Sequence, residues 1–331
     1  MLKAIDGIVP HRLFYYKSCF FCALFPVVQY YGKDIYRLML NDTVNYGMIH
    51  TVRGEFPTIR YQSAYSLKKR LSDMGIIQEE KDIFSEDDLI AAVTVDIGCG
   101  SSVILWVDCY EIKYKKDTYK KEHIPHSILI LGVDASNKTC HIIDNDDLNS
   151  INYDYKVIDF HELYCAYRSY IDELQVSMNS KTYFSYKYDE SLCREDAGAF
   201  ASDYYKLIVE TAKNNGYQSE QVLDLYQQIF EKSLNDTNHL QANLQDYILS
   251  MNDIVNARRA EQRKLDYLLD SNLSLLQKEQ ADLWDSIRVP FVRYSFTHNF
   301  REKDFAGVIE SLIKIKLSEK KWNNVVREYG L

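Results

Sequence analysis

Three hydrophobic patterns succeed one another along the chain. From Cys19 to Tyr31 nearly every position is apolar, with Ser18 where an N-cap belongs and Gly32 where a helix stops, so the spacing predicts a helix over 19–31. Pro26 lies inside it and predicts a kink, because it removes one hydrogen bond and crowds the preceding turn. Shorter helical spacings follow at 33–40 and 63–74, and Ser85 followed by three acids opens another helix where its dipole favours negative charge. The period then changes. Ser102–Asp108, Ser127–Val133 and Cys140–Asp144 are short continuous apolar runs, rich in β-branched residues, and read as buried strands. The link 134–138, DASNK, predicts a hairpin turn, making the second and third of these strands antiparallel neighbours. Weaker strand signals lie at 151–158 and 173–176. From about residue 189 the pattern is helical, over 195–215, 218–234, 236–289 with at least one break, and 303–318. The chain therefore predicts an α+β domain over 1–188 and an all-helical domain over 189–331.

Composition narrows the setting. With 331 residues, 46% hydrophobic and 26% charged, the chain can bury two ordinary cores. A net charge of −9 argues against general nucleic-acid binding and suits an amine-bearing substrate. The 27 tyrosines supply apolar area with polar tips, although few Gly and Pro and many Lys, Asn and Ile make compositional bias the plainer cause. Seven cysteines, scattered at 19, 22, 99, 109, 140, 165 and 193, form no disulfide framework and predict a reducing cytoplasm. The opening segment carries Asp6 and Pro10 ahead of an apolar run with no small-residue cleavage site, unlike a secretion signal, and that run is too short to span a bilayer.

Candidate chemistry centres on Cys19. A helix N-terminus stabilises a thiolate and offers backbone N–H groups to an oxyanion. His126 starts the strand SILILGV, and Asp144 ends the next strand. If those strands pair through 134–138, the imidazole and the carboxylate become neighbours. Taken singly, a cysteine is more often a core residue, a histidine more often structural, and an acid in DNDD more often a turn former. Their order along the fold is what raises the joint reading. The Cys19-Phe-Phe-Cys22 pair lacks the preceding strand of a redox dithiol and the second ligand pair of a zinc site, so no metal is expected and Cys22 reads as packing. Gly98-x-Gly100 precedes a strand instead of following one, so no dinucleotide fingerprint is present.

Cys19 with Ala23 and Leu24, Trp106-Val-Asp-Cys-Tyr110 with EIKY after it, and His123-Ile-Pro-His126 leading into SILILGVD and HIID resemble the N-terminal domain of the butirosin biosynthesis protein H family over about residues 10–160. That family is related to papain-like and C39-like cysteine peptidases, which implies a papain-like fold: an N-terminal helix carrying Cys and an antiparallel sheet carrying His and Asp. It also implies acyl transfer in antibiotic biosynthesis, as in amide-forming enzymes of closthioamide-type pathways. By position, Cys19 matches the nucleophile, His126 the base and Asp144 the orienting acid. Asp108 and Tyr110 match the Val-Asp-x-Tyr segment, implied to line the pocket, and Tyr114 and His123 are taken as substrate-binding with them. Two features depart from the pattern: Pro26 interrupts the helix, and position 13, six before Cys19, is Leu where papain-type enzymes place a Gln. The oxyanion donors are thus open beyond the Cys19 N–H.

The resemblance implies that an acyl group passes from an acyl or peptidyl carrier protein to Cys19 and then to a small-molecule amine such as an aminoglycoside or a diamine. The carrier's phosphopantetheine thioester enters as substrate, and no separate cofactor is expected. The basic loop 113–121 is a candidate carrier dock in an acidic protein, with a plain solvated lysine loop as the equal alternative. The C-terminal helices offer faces for the carrier or for a homo-oligomer. A peptide or amide hydrolase of the same fold and a non-catalytic binding protein are the competing readings.

Overall fold

The computed structural model describes residues 2–51, 54–147, 150–174, 181–194 and 196–329. In chain order the elements are β1 (Leu2–Ala4), α1 (Cys19–Tyr30), α2 (Ile35–Met39), β2 (Asp42–Thr51), β3 (Gly54–Ser63), α3 (Leu67–Asp73), β4 (Ile76–Lys81), α4 (Glu86–Gly98), β5 (Ser102–Asp108), β6 (Pro125–Asp134), β7 (Thr139–Asp144), β8 (Asp154–Asp159), α5 (Phe160–Ser169), β9 (Tyr183–Tyr188), α6 (Ala197–Asn235), α7 (Thr237–Tyr267), α8 (Ser271–Thr297), α9 (Glu302–Phe305) and α10 (Val308–Glu328). They divide into two compact units, residues 1–38 with 66–195, and residues 39–65 with 196–331.

The first unit is built on an antiparallel sheet in the order β4-β9-β5-β6-β7-β8, with β1 also pairing with β6. Its centre follows from the apolar runs. Along Ser102–Asp108 every residue but Trp106 is buried, as a strand covered on both faces requires. β6 and β7 form the expected hairpin: Asp134 pairs with Thr139, its carboxylate accepts from the Ser136 N–H at 3.0 Å, and Lys138 takes the left-handed conformation that closes the turn. The register sets Trp106 opposite Ser127 and Val107 opposite His126. α1 packs on β5 and β6, while α4 and α5 pack on β5.

α1 is buried from Phe20 to Val28 and runs through Pro26 as one helix, so Pro26 does not break it. Gly32, at φ 69°, ends it with its N–H on the Gln29 carbonyl. Ser85 caps α4 as predicted, its hydroxyl accepting from the Asp88 N–H at 3.1 Å. Other expectations need correcting. The helix expected from 63 starts at Leu67, because residues 42–51 and 54–63 are strands and Ser66 is the cap. Tyr170–Leu174 form a π-helical turn, so Glu173 is not in a strand, and residues 175–176 lie outside the described ones. Gly75 closes α3 at φ 78°, where an added Cβ would meet the Tyr188 ring at 2.8 Å and the Asp189 carbonyl at 3.0 Å. Gly75→Ala is therefore expected to destabilise the first unit by about 1–3 kcal/mol, read as a shift in its urea midpoint.

The second unit is not all-helical, and here the division expected at 188/189 is corrected. The hairpin β2–β3 belongs to the helical unit because its apolar side chains Val44, Tyr46, Phe56 and Ile59 share a core with Tyr226, Phe230, Tyr247, Trp284 and Phe291. Polar pins fix it there. The Pro57 carbonyl accepts from Tyr226 at 2.6 Å and from Ser250 at 2.7 Å, and Trp284 Nε1 donates to the Tyr46 hydroxyl at 2.8 Å. α6 is one helix of 39 residues where two were expected. The chain thus has the expected α+β organisation, with an antiparallel sheet and a helical C-terminal region, and no helix among the described residues is long and apolar enough to cross a membrane.

Candidate active site

Cys19 is the first residue of α1, delivered there by an unusual approach. Lys17 is left-handed at φ 54°, a strained conformation for a side chain of its kind, and Ser18 is fully extended without capping through its own side chain. The Ser18 carbonyl accepts from the Phe21 and Cys22 N–H groups, whereas those of Cys19 and Phe20 have no backbone acceptor among the described residues. The half-buried thiol lies 3.9 Å from the Ser127 hydroxyl at the start of β6. Burial opposes ionisation of Cys19. The charge and hydrogen bond of His126, with hydrogen bonds from the side chain and backbone of Ser127, outweigh it and lower the thiol's pKa.

His126 is buried one residue before Ser127, and its Nε2 lies 2.6 Å from Asp144 Oδ1. That leaves Nδ1 for the sulfur. Extending the β6–β7 register past Leu129–Ile143 sets Asp144 opposite Ile128, diagonal to His126, which is why the two side chains meet. Burial favours neutral imidazole, but the Asp144 carboxylate prevails over it and over the opposing Lys115 charge, and His126 is pushed up to about 9. Burial likewise works against the Asp144 charge, yet His126, Lys115 and the hydrogen bonds from His126 and Tyr114 hold its carboxyl down at about 2. Both shifts favour an imidazolium beside a carboxylate.

Asp144 is fully buried and has four donors. Besides His126, its own neighbour's N–H, from Asn145, reaches Oδ1 at 2.7 Å, while the Tyr114 hydroxyl at 2.6 Å and the Lys115 ammonium at 3.2 Å reach Oδ2. Tyr114, taken from the sequence as substrate-binding, is thus turned inward onto the acid. Asp108, expected to line a pocket, is corrected more strongly. It is 0% exposed, and its Oδ1 accepts from the Tyr110 and Ile124 N–H groups at 3.0 Å, while its Oδ2 meets His123 Nδ1 at 2.6 Å and the Ser169 hydroxyl at 2.8 Å. It ties together the two ends of the loop that presents Tyr114 and Lys115. Tyr110 and His123 stack at that closure, 4.2 Å apart, with His123 partly exposed.

The basic loop carries less free charge than its sequence suggests. Lys113 pairs with Glu162 at 3.0 Å, Lys120 with Glu111, and Lys115 is buried. Cys22 is pushed up to about 12 by burial and by the neighbouring Cys19, the behaviour of a packed thiol. Sequence reasoning missed Ser127, Lys115 and an aromatic stack beside the thiol. Phe20 lies on Trp106 at 5.8 Å, and Trp106 on Tyr170 at 5.6 Å. Tyr170 is kept protonated by burial and by the nearby Cys19 charge. Ser127 could have been found from its place next to His126; nothing local singled out Lys115 among nine residues containing five lysines.

Residues 28–145 match the family butirosin biosynthesis protein H, N-terminal. The resemblance drawn from the sequence holds over that stretch, and the family takes its name from a butirosin biosynthesis protein. No curated protein matches the chain. The butirosin-H match includes His126 and Asp144 but begins nine residues after Cys19, so it is geometry that brings the thiol to the other two.

Proposed function

We propose that the protein is a cysteine-dependent acyltransferase that forms an amide bond in antibiotic biosynthesis, on a papain-like arrangement of α1 against the β5–β6–β7 sheet. The observation that carries this reading is the thiol at the mouth of α1 beside Ser127 and a His126 held by a fully buried Asp144. The Cys19 proton rests on His126, and the thiolate attacks the carbonyl carbon of a carrier-bound thioester. The Cys19 N–H faces the developing oxyanion. As the carrier's thiol leaves it takes the proton from His126, and one thioester has been exchanged for another at little cost. A small-molecule amine then attacks the acyl-Cys19 carbonyl and gives a proton to His126, and the Cys19 sulfur leaves. Formation of the amide makes this step downhill. Acyl donor and acceptor are both substrates, so no further cofactor is called for.

Amine must win over water for this outcome. The half-buried sulfur and the Phe20–Trp106–Tyr170 stack beside it support exclusion of water. Hydrolysis in the same site is the second reading, and the two separate in one experiment. The protein is incubated with acyl-loaded carrier and examined by intact mass. An acyl adduct that disappears in Cys19→Ala is expected, and addition of the amine should release amide. Release of free acid alone assigns the hydrolase, and no adduct on the unaltered protein rejects the covalent mechanism.

A further inference from the structure

Lys115 is 0% exposed, and the polar atoms around its ammonium are Asp144 Oδ2 at 3.2 Å, Asn145 Oδ1 at 2.7 Å and the Asn145 carbonyl at 2.9 Å. A lysine is seldom buried without a charge to answer, and here the charge belongs to the acid behind His126. We propose that Lys115, together with Tyr114, is a positioning residue of the candidate site: by occupying the second oxygen of Asp144 it sets how firmly that carboxylate holds the imidazolium, and through it the thiolate of Cys19. The inference rests on the reading of Cys19 and His126 as the reacting pair and adds the residues that tune them.

Charge balance supports it. Once the thiolate has formed, Cys19 and Asp144 are negative while His126 and Lys115 are positive, so the buried cluster is neutral. Without Lys115 it would carry one net negative charge in a poorly solvated place. Among the described residues, groups facing this cluster include Cys19 and Cys22 from α1, Cys109 after β5, Asp144 at the end of β7 and Tyr153 before β8, and the Lys156 ammonium of β8 lies 5.2 Å from the Tyr114 ring. Burial pushes the Cys22 and Cys109 thiols up to about 12 and raises the Tyr153 phenol, so these three stay neutral. Tyr114 likewise stays a neutral donor, pushed up by burial and by Asp144. With those groups neutral, Lys115 is a buried charge that opposes Asp144 at His126. The opposition has a use in the proposed reaction. A His126 bound too strongly to its proton could not release it to the departing carrier thiol.

The test follows the His126 imidazole by NMR in histidine-labelled full-length protein, with the rate of Cys19 alkylation by iodoacetamide measured over the same pH range. In folded Lys115→Met the His126 titration is expected to move up by about one unit, with the alkylation profile moving the same way. An unmoved titration in the folded variant overturns the proposal, since a purely structural lysine would lower stability without shifting His126. If Lys115→Met does not fold, Tyr114→Phe decides. It removes one neutral donor from Asp144, and a smaller upward shift is expected; no shift overturns. Neither readout uses carrier or amine. A protein that shows these shifts yet forms no acyl adduct keeps the positioning role and loses acyl transfer, and amide formation with an unmoved titration does the reverse.

Discussion

His126→Gln is expected to slow alkylation of Cys19 at pH 7 by about a hundredfold or more, with the fold retained. The reasoning starts from what burial does to thiols in this unit. Cys22, Cys109 and Cys140 are all pushed up to about 12 by it. Cys19 alone among these four is lowered, because His126 supplies charge and a hydrogen bond that outweigh the same desolvation. Without His126, Ser127 and the N-terminus of α1 still favour the thiolate, but the largest favourable contribution is gone and the thiol should move toward its buried neighbours. Every unit of upward shift removes about a factor of ten in thiolate at neutral pH, offset in part because a more basic thiolate is a better nucleophile. Unaltered protein should react at a rate nearly flat across neutral pH, whereas the variant's rate should climb through pH 9. Peptide-resolved mass spectrometry reads Cys19 separately from exposed Cys99, which serves as the internal reference and should not change. Equal rates at Cys19 in the two proteins would remove His126 from the proposed chemistry.

The parts of this site that were legible in the sequence are those that local rules determine. Cys19 follows Ser18 at a helix start, and the turn 134–138 pairs β6 with β7, which is enough to bring His126 to Asp144. Lys115, Tyr114 and Asp108 were not legible in their actual places, because their positions depend on how a loop between β5 and β6 folds back onto the end of β7. No periodicity records that. The hairpin β2–β3 was missed for a related reason. Val44 and Tyr46 do alternate with polar neighbours, but Pro57 in the second strand argues locally against a sheet, and its place is set by partners more than 160 residues away, Tyr226 and Ser250 on Pro57 and Trp284 on Tyr46. The helices expected over 195–215 and 218–234 are one continuous α6, which packs on α10 and β2. Tertiary context decided each of these against the local signal.

Asp144→Asn should produce the largest loss of stability of any single change at the site, about 3–5 kcal/mol at pH 7, since it leaves the Lys115 ammonium and the His126 imidazole buried without their counter-ion. Its pH dependence is distinctive. Asp144 is held at about 2 in the fold, below the ordinary carboxyl, so its contribution is present above roughly pH 4 and disappears as pH falls through about 2. The unaltered protein should lose about 2 kcal/mol over that interval from this group, and the gap to Asp144→Asn should narrow with it. At the alkaline end the signs differ. His126, raised to about 9, contributes stability that is complete below about pH 6.5 and lost as pH rises through 9, while the lowered Cys19 contributes in the opposite sense. Between those limits folding moves a proton from sulfur to imidazole without releasing it, so stability should change little between about pH 6.5 and 8.5. Urea unfolding followed by pulsed hydrogen exchange in β6 and β7 reads both limbs. A variant that keeps its stability at pH 7, or a gap that stays constant down to pH 2, would mean that Asp144 is not the ionised partner of His126 and Lys115, and the tuning of Cys19 through them would fall with it.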